Sequence, residues 1–360
     1  MKAALANWTT AAPLAAALLR GVASLLPQHA ALLLLCGAAL VAAVMAAVHH
    51  AEVVAHRVGE PFGTLVLALA VTVIEAALVV SMMLSGGHET ATLARDSVYA
   101  AVMIICTGVV GACVVAGALR HREQSFRIEG AGPALAALVT LSTLVLILPA
   151  FTTSAPGPSY SNTQLAFAAL VSLALWATFV FVQTVRHRDY FLPPPDQSAD
   201  EGAHAAPPTL PETWQSLALL LVSLVAVVGL AKKLSPSIEA AVEVAGAPQA
   251  VIGVAIAAIV LLPEASAALR AALADRLQTS MNLALGSALA CIGLTIPAVA
   301  LASVWLGLPL VLGLDSKDLV LLALTFVVST ITLGTGRTYL MQGAVHLVIF
   351  AAFLFLTFVP

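Results

Sequence analysis

VTVIEAALVV, residues 71–80, places Glu75 near the middle of an apolar run that extends from Phe62 to Leu84. At the centre of a bilayer an ionised side chain costs roughly 2.5 to 3.5 kcal/mol on insertion scales, so an unpaired carboxylate there is a liability. The second half of the chain answers with VLLPEASAAL, residues 260–269, where Glu264 also sits inside an apolar span. Two acids in two such runs read as a pair that meets in the membrane interior.

The whole chain has the composition that this reading requires. Of its 360 residues, 61% are hydrophobic and 9% charged, whereas soluble domains carry about 25% charged residues. A water-soluble core is excluded, and the chain is an all-α polytopic membrane protein whose first partner is the lipid bilayer. A net charge of −3 provides no basic field for nucleic acid. Cys36, Cys106, Cys113 and Cys291 lie in apolar runs without CxxC spacing and read as small core residues. No nucleotide-binding loop is present, so no cofactor is expected.

Apolar runs of about 20 residues, enough to cross, fall near residues 30–49, 61–85, 97–119, 131–151, 163–185, 213–231, 248–271, 279–305, 317–334 and 339–358. Residues 1–28 are broken by Arg20 and read as a short or extra N-terminal helix, not a cleaved signal. The Pro-rich, acidic stretch at 187–212 lacks apolar periodicity and reads as a solvated linker, with Asp196, Asp200, Glu201 and His204 as its loosely spaced polar groups. It separates a first repeat, residues 29–186, from a second, residues 213–360, each with five helices.

Alternate loops differ in charge. One set holds Arg57, Arg120, Arg122, Arg127, Arg186, Arg188, Arg270, Arg276 and Arg337, the other only Arg95, Lys232, Lys233 and Lys317. The arginine-rich set, with the linker, is expected to be cytoplasmic. Five helices per half is an odd number, so the two repeats enter from opposite sides and are inverted.

The repeats match in detail. Glu52, Gly59, Gly63 and Glu75 parallel Glu239, Gly246, Gly253 and Glu264, and Thr107 with Gly108 in the next span parallels Ser287. Inverted halves bring Glu75 and Glu264 together at the repeat interface, where a cation site is expected. Pro263 is expected to break the helix just before Glu264 and free carbonyl oxygens. A hard cation such as Ca²⁺ takes about 6 to 8 oxygens, and Ser287, Thr107, Thr72 and Asn282 are candidate additional ligands. Protons and a divalent ion compete for such a pair, because two ionised carboxylates in a low-dielectric interior repel each other. Glu52, His56, Glu60, Glu239 and Glu243 at the helix ends are candidate gating or peripheral groups. In HHAEVVAH, residues 49–56, His49, Glu52 and His56 share a helix face, which allows the alternative of an intramembrane metalloenzyme. His346 reads as a packed, hydrogen-bonded histidine.

HAEVVAHRVGEPFGTLVLALAVTVIEAALVV resembles the first repeat of the ChaA-type calcium/proton antiporters of the cation/Ca²⁺ exchanger superfamily. LLPEASAAL with SMNLALGSALACIGLTIPAV is similar to the second repeat, and TGRTYLMQGAVHLVIFAAF to the last span. The resemblance implies the inverted five-plus-five exchanger fold, with the acidic residues of the second helices, Glu75 and Glu264 here, as cation ligands. It implies exchange of cytoplasmic Ca²⁺, and in some members Na⁺ or K⁺, for external protons across a bacterial inner membrane. The first repeat departs from the pattern, with Ile74 before Glu75 and with Met103 and Ile104 where the second repeat has Gly286 and Ser287. The alternative on the same scaffold is mainly Na⁺/H⁺ or K⁺/H⁺ exchange.

Overall fold

The computed structural model describes residues 2–25, 29–59, 62–86, 90–192 and 207–360. The linker groups Asp196, Asp200, Glu201 and His204, together with Glu60, lie outside the described residues. A chain that cannot hydrogen-bond to water inside lipid must satisfy its backbone internally, and here it does so as helices. In order these are α1 (Lys2–Leu25), α2 (Ala30–Val58), α3 (Phe62–Gly86), α4 (Leu93–Met103), α5 (Val110–His121), α6 (Ile128–Ser142), α7 (Asn162–Phe181), α8 (Leu210–Val244), α9 (Ala250–Leu273), α10 (Leu277–Ala290), α11 (Ile296–Leu306), α12 (Ser316–Leu333) and α13 (Leu340–Phe358). Among the described residues ten stretches are long and apolar enough to cross a membrane, and α1 is not one of them.

Two of these stretches contain π turns at their centres. Ile104–Val109 joins α4 to α5, and Cys291–Thr295 joins α10 to α11. These are the third spans of the two halves, and a π turn in corresponding helices commonly marks a functional site. Caps set other ends. Ser161 with Gln164 starts α7, and Thr209 with Glu212 starts α8, each as a reciprocal capping box. Helix α8 runs well past the expected residue 231: its 35 residues make a rod about 52 Å long at about 1.5 Å per residue. Lys232, Lys233, Glu239 and Glu243 therefore ride on its far portion.

Loop contacts sort into two sets that match the charge alternation. Strand β1 (Glu123–Ser125) pairs antiparallel with β2 (Arg337–Tyr339), joining two arginine-bearing loops. On the same side Arg57 donates to Pro208 O at 3.2 Å and His121 to Leu273 O at 3.0 Å. On the other side Val311 N donates to Ala91 O at 3.0 Å and Gly313 N to Pro158 O at 2.9 Å.

Inverted repetition is visible in the packing. Gly59 and Gly246, with φ of +74° and +63°, close the first helices of the two halves, a positive φ that glycine adopts without steric cost. Gly108 lies flat against the Phe350 ring of α13, and Gly293 against Trp176 of α7. The third span of each half thus rests on an aromatic residue in the fifth span of the other, and Gly108 pairs with Gly293. This corrects the sequence register, which set Thr107 and Gly108 against Ser287. Helix α1 packs on α2 and α8, where Arg20 lies across Gly229 and donates to Val225 O at 3.3 Å, and His50 of α2 bonds Thr9 O at 3.0 Å.

Gly253 of α9 lies against the α4 backbone, where a Cβ would meet the Asp96 carbonyl carbon and Ser97 nitrogen at 2.8 Å. Gly253→Ala is expected to destabilise the protein by about 1 to 3 kcal/mol, as overpacking against backbone does. Gly286→Ala, which faces open space, is expected to stay within about 0.5 kcal/mol of wild type. Thermal unfolding in detergent checks this, and equal effects would contradict the close approach.

Candidate functional site in the membrane interior

Helices α3 and α9 each carry one acid into the bundle, and both acids line one cavity of about 290 Å³. Around the acids its polar wall includes Thr72, Asn282, Ser287 and Cys291, and Trp176 and Phe179 of α7 supply part of the apolar wall. The four candidate ligands other than the glutamates are not equally placed. Thr72, Ser287 and Asn282 are in the wall, whereas Thr107 is fully buried and donates its hydroxyl back to Met103 O. A threonine that bonds to its own helix one turn back is a structural residue, so Thr107 is corrected from ligand to core.

The environments of the two acids differ. Glu75 is 3% exposed, and each of its oxygens accepts one bond from the opposite repeat: Oε1 from Cys291 Sγ at 2.8 Å and Oε2 from Thr295 Oγ1 at 2.9 Å. Glu264 has Oε2 buried without a hydrogen-bond partner, and its charged neighbours are Glu52 and Glu75. A buried acceptor without a donor is costly. The site as it stands invites a cation or a proton at Glu264.

Asn282 has a second engagement. Its amide donates to Phe191 O at 2.6 Å and its oxygen accepts from Gln278 at 2.9 Å, which ties the cavity rim to the short turn Arg188–Phe191 that follows the fifth span. The expected break at Pro263 does not occur. Helix α9 continues from Ala250 to Leu273 through it, and Ser266 donates to Pro263 O at 2.7 Å. A proline removes a single amide donor, and the flanking ladder holds the helix together.

The remaining candidates are peripheral. Glu52 and His56 are exposed near the end of α2, with His49 and Arg270 as charged neighbours of Glu52. Among the described residues no three His, Cys, Asp or Glu side chains are grouped to hold a metal ion, so His49, Glu52 and His56 do not form the metal centre of the alternative reading. Glu239 accepts from Ser235 at 2.7 Å and Glu243 is exposed, both toward the opposite end of the membrane. His346 is buried as expected, with Nδ1 donating to Cys106 O at 2.7 Å and Nε2 3.0 Å from Thr332 Oγ1.

The cavity extends to Leu67, Gln183 and Thr279, near the arginine-rich ends of their spans. The repeat mates of its lining are packed shut. Ala94, Ala101 and Phe353, equivalent to Thr279, Gly286 and Phe179, are 0%, 1% and 2% exposed. One path to the acids is open and its inverted counterpart is filled.

Sequence reasoning missed Cys291 and Thr295. The signal was present as Cys-x-Gly in both third spans, Cys106 to Gly108 and Cys291 to Gly293, which would have set the register and placed Thr295 opposite Val110.

Comparison with known proteins agrees with this architecture. The family model for sodium/calcium exchanger protein matches residues 28–185 and 215–359. An ionic transporter candidate, y4hA of Sinorhizobium fredii, is 51% identical over 94% of this chain and 92% of its own length. The sodium-potassium/proton antiporter ChaA of Escherichia coli is 34% identical with the same coverage of 94% and 92%. Among solved structures, native YfkE superposes with a TM-score of 0.72 at 18% identity, covering 98% of this chain and 100% of that one. The H⁺/Ca²⁺ exchanger CAX does so at 0.69 and 16%, covering 97% and 88%.

Gly286 faces open space in the cavity whereas its mate Ala101 is sealed. In a Cys291→Ser background, Gly286→Cys is expected to react with a membrane-impermeant thiol reagent applied to the arginine-rich side, and Ala101→Cys to resist it from either side. Equal labelling of both would contradict the one-sided cavity.

Proposed function

For a chain that belongs to the sodium/calcium exchanger protein family, we propose that Glu75 and Glu264 form one alternating site for a cation and for protons, and that the protein exports cytoplasmic Ca²⁺ in exchange for external protons. It is a multi-pass membrane transporter and not an enzyme. The observation that carries the proposal is the convergence of two carboxylates from inverted repeats on one cavity wall.

The chemistry follows from charge. Two ionised carboxylates in a low-dielectric cavity repel each other and lack solvation, so the pair is stable when neutralised by a divalent ion or by protons. Ca²⁺ entering from the arginine-rich side, which the charge bias assigns to the cytoplasm, takes oxygens from Glu75, Glu264, Thr72 and Ser287 and keeps water for the rest of its shell. Closing the open path and opening its packed mate presents the loaded site to the other face. There protons displace the ion, and the protonated pair returns. An empty, doubly charged site does not make the transit, and that restriction couples the two fluxes. The membrane is the inner membrane of a bacterium in this reading.

The similarity to a sodium-potassium/proton antiporter favours a second reading on the same residues, with Na⁺ or K⁺ in place of Ca²⁺. Hydroxyl and carboxylate oxygens serve either class of ion. Cation-induced proton release from acid-loaded everted vesicles separates the readings. Ca²⁺ is expected to release protons from wild type, with Glu75→Gln and Glu264→Gln reduced to the protein-free background. Release by Na⁺ or K⁺ alone would replace Ca²⁺ as the substrate, and full exchange in both variants would remove the two acids from the mechanism.

A further inference from the structure

Two donors from the second repeat hold the acid of the first. Cys291 and Thr295 stand at the two ends of one π turn, and each bonds a different oxygen of Glu75, 216 and 220 residues away in sequence. Thr295 departs from a habit common among this protein's helical threonines, as Thr325 does in reaching Met103 Sδ at 3.4 Å. Thr107, Thr140, Thr178, Thr330 and Thr357 all donate to the carbonyl four residues back, the usual resting place of a membrane threonine. Thr295 instead spends its donor across the repeat interface.

The inverted copy lacks the arrangement. Cys106 and Val110 occupy the corresponding places, valine has no donor, and Glu264 keeps an oxygen without a partner. The two acids of the pair are therefore not equivalent, although the repeats that carry them are.

We infer that Cys291 and Thr295 form a two-donor clip that positions the Glu75 carboxylate in the cavity wall, while Glu264 is left free to adjust to the ion. Both are positioning residues. A carboxylate has about four lone-pair sites, so one donor on each oxygen fixes the plane of the group and leaves capacity facing the cavity. Preorganisation of one ligand lowers the ordering cost of capturing a cation, and the free partner closes on it. The inference rests on the proposed role of Glu75 as a cation ligand.

The test is the dependence of proton release on cation concentration in everted vesicles, with Ca²⁺ and K⁺ as the probes. Thr295→Val keeps the shape and removes the donor, and it is expected to raise KM about tenfold, the scale of a hydrogen bond to a charged group. The rate at saturation is expected to stay within about twofold, since the ion is still carried by the same ligands. Cys291→Ala is expected to shift KM in the same direction, and the double variant further. Thr295→Ser and Cys291→Ser keep a donor and are expected to restore KM to near wild type. A wild-type KM in the Thr295→Val, Cys291→Ala double variant would overturn the clip, as would a Thr295→Ser defect equal to that of Thr295→Val, which would assign the effect to packing. Glu75→Gln run alongside separates the two failures: if it abolishes exchange while the double variant is normal, the clip alone is wrong, and if it exchanges normally, the reading of Glu75 falls and takes the clip with it.

Discussion

Desolvation of charge is the constraint on which the rest of the structure depends. A carboxylate inside a bilayer is tolerated where protein dipoles, hydroxyls, a counter-ion or a proton replace water, and this chain places two of them within one cavity. The surroundings follow from that requirement. The second spans bring the acids inward, the third spans cross them with π turns, and glycines at 108 and 293 let those spans press against aromatic rings. A bulkier residue at Gly293 would move the π turn whose Cys291 and Thr295 bond Glu75.

Inverted repetition supplies the site, and departures from it supply direction. Were the halves identical, the two paths to the acids would be equal in energy. They differ here at particular places. Arg95 and Asp96 form a buried ion pair at 2.8 Å on the closed side, and Arg95 also donates to Gly313 O at 2.9 Å. Their mates on the open side are Ser280 and Met281, which carry no charge. Likewise His346 bonds the π turn of the first repeat through Cys106 O, while its mate Ser172 has a buried hydroxyl without a partner. Arg95 and Asp96 are neighbours on α4 and stay paired however that helix moves. The bond from Arg95 to Gly313 O, however, ties α4 to the loop before α12, a charge-assisted contact between elements that Ser280 has no charge to make.

Much of this was legible before any coordinates. Ten apolar runs, the alternation of arginine between loops and the recurrence of an acid in the second span of each half follow from the thermodynamics of a helix in lipid, which acts on each segment by itself. The same local rules erred where neighbours decide. Pro263 predicts a break that the flanking ladder prevents. Thr107 has the chemistry of a ligand, yet its hydroxyl is taken by its own helix. His49, Glu52 and His56 share a helix face, yet no metal-binding group of three forms from them.

The sequence by itself determined the membrane class, the number of spans, the inversion of the halves and the two acids, because hydropathy, charge bias and repetition are written along the chain. Which side of the site is open, how the third spans register, and that Cys291 and Thr295 hold Glu75 were decided by tertiary structure alone. Those outcomes depend on contacts between residues some 200 positions apart, and a one-dimensional pattern records what each segment prefers without recording which segment it will meet.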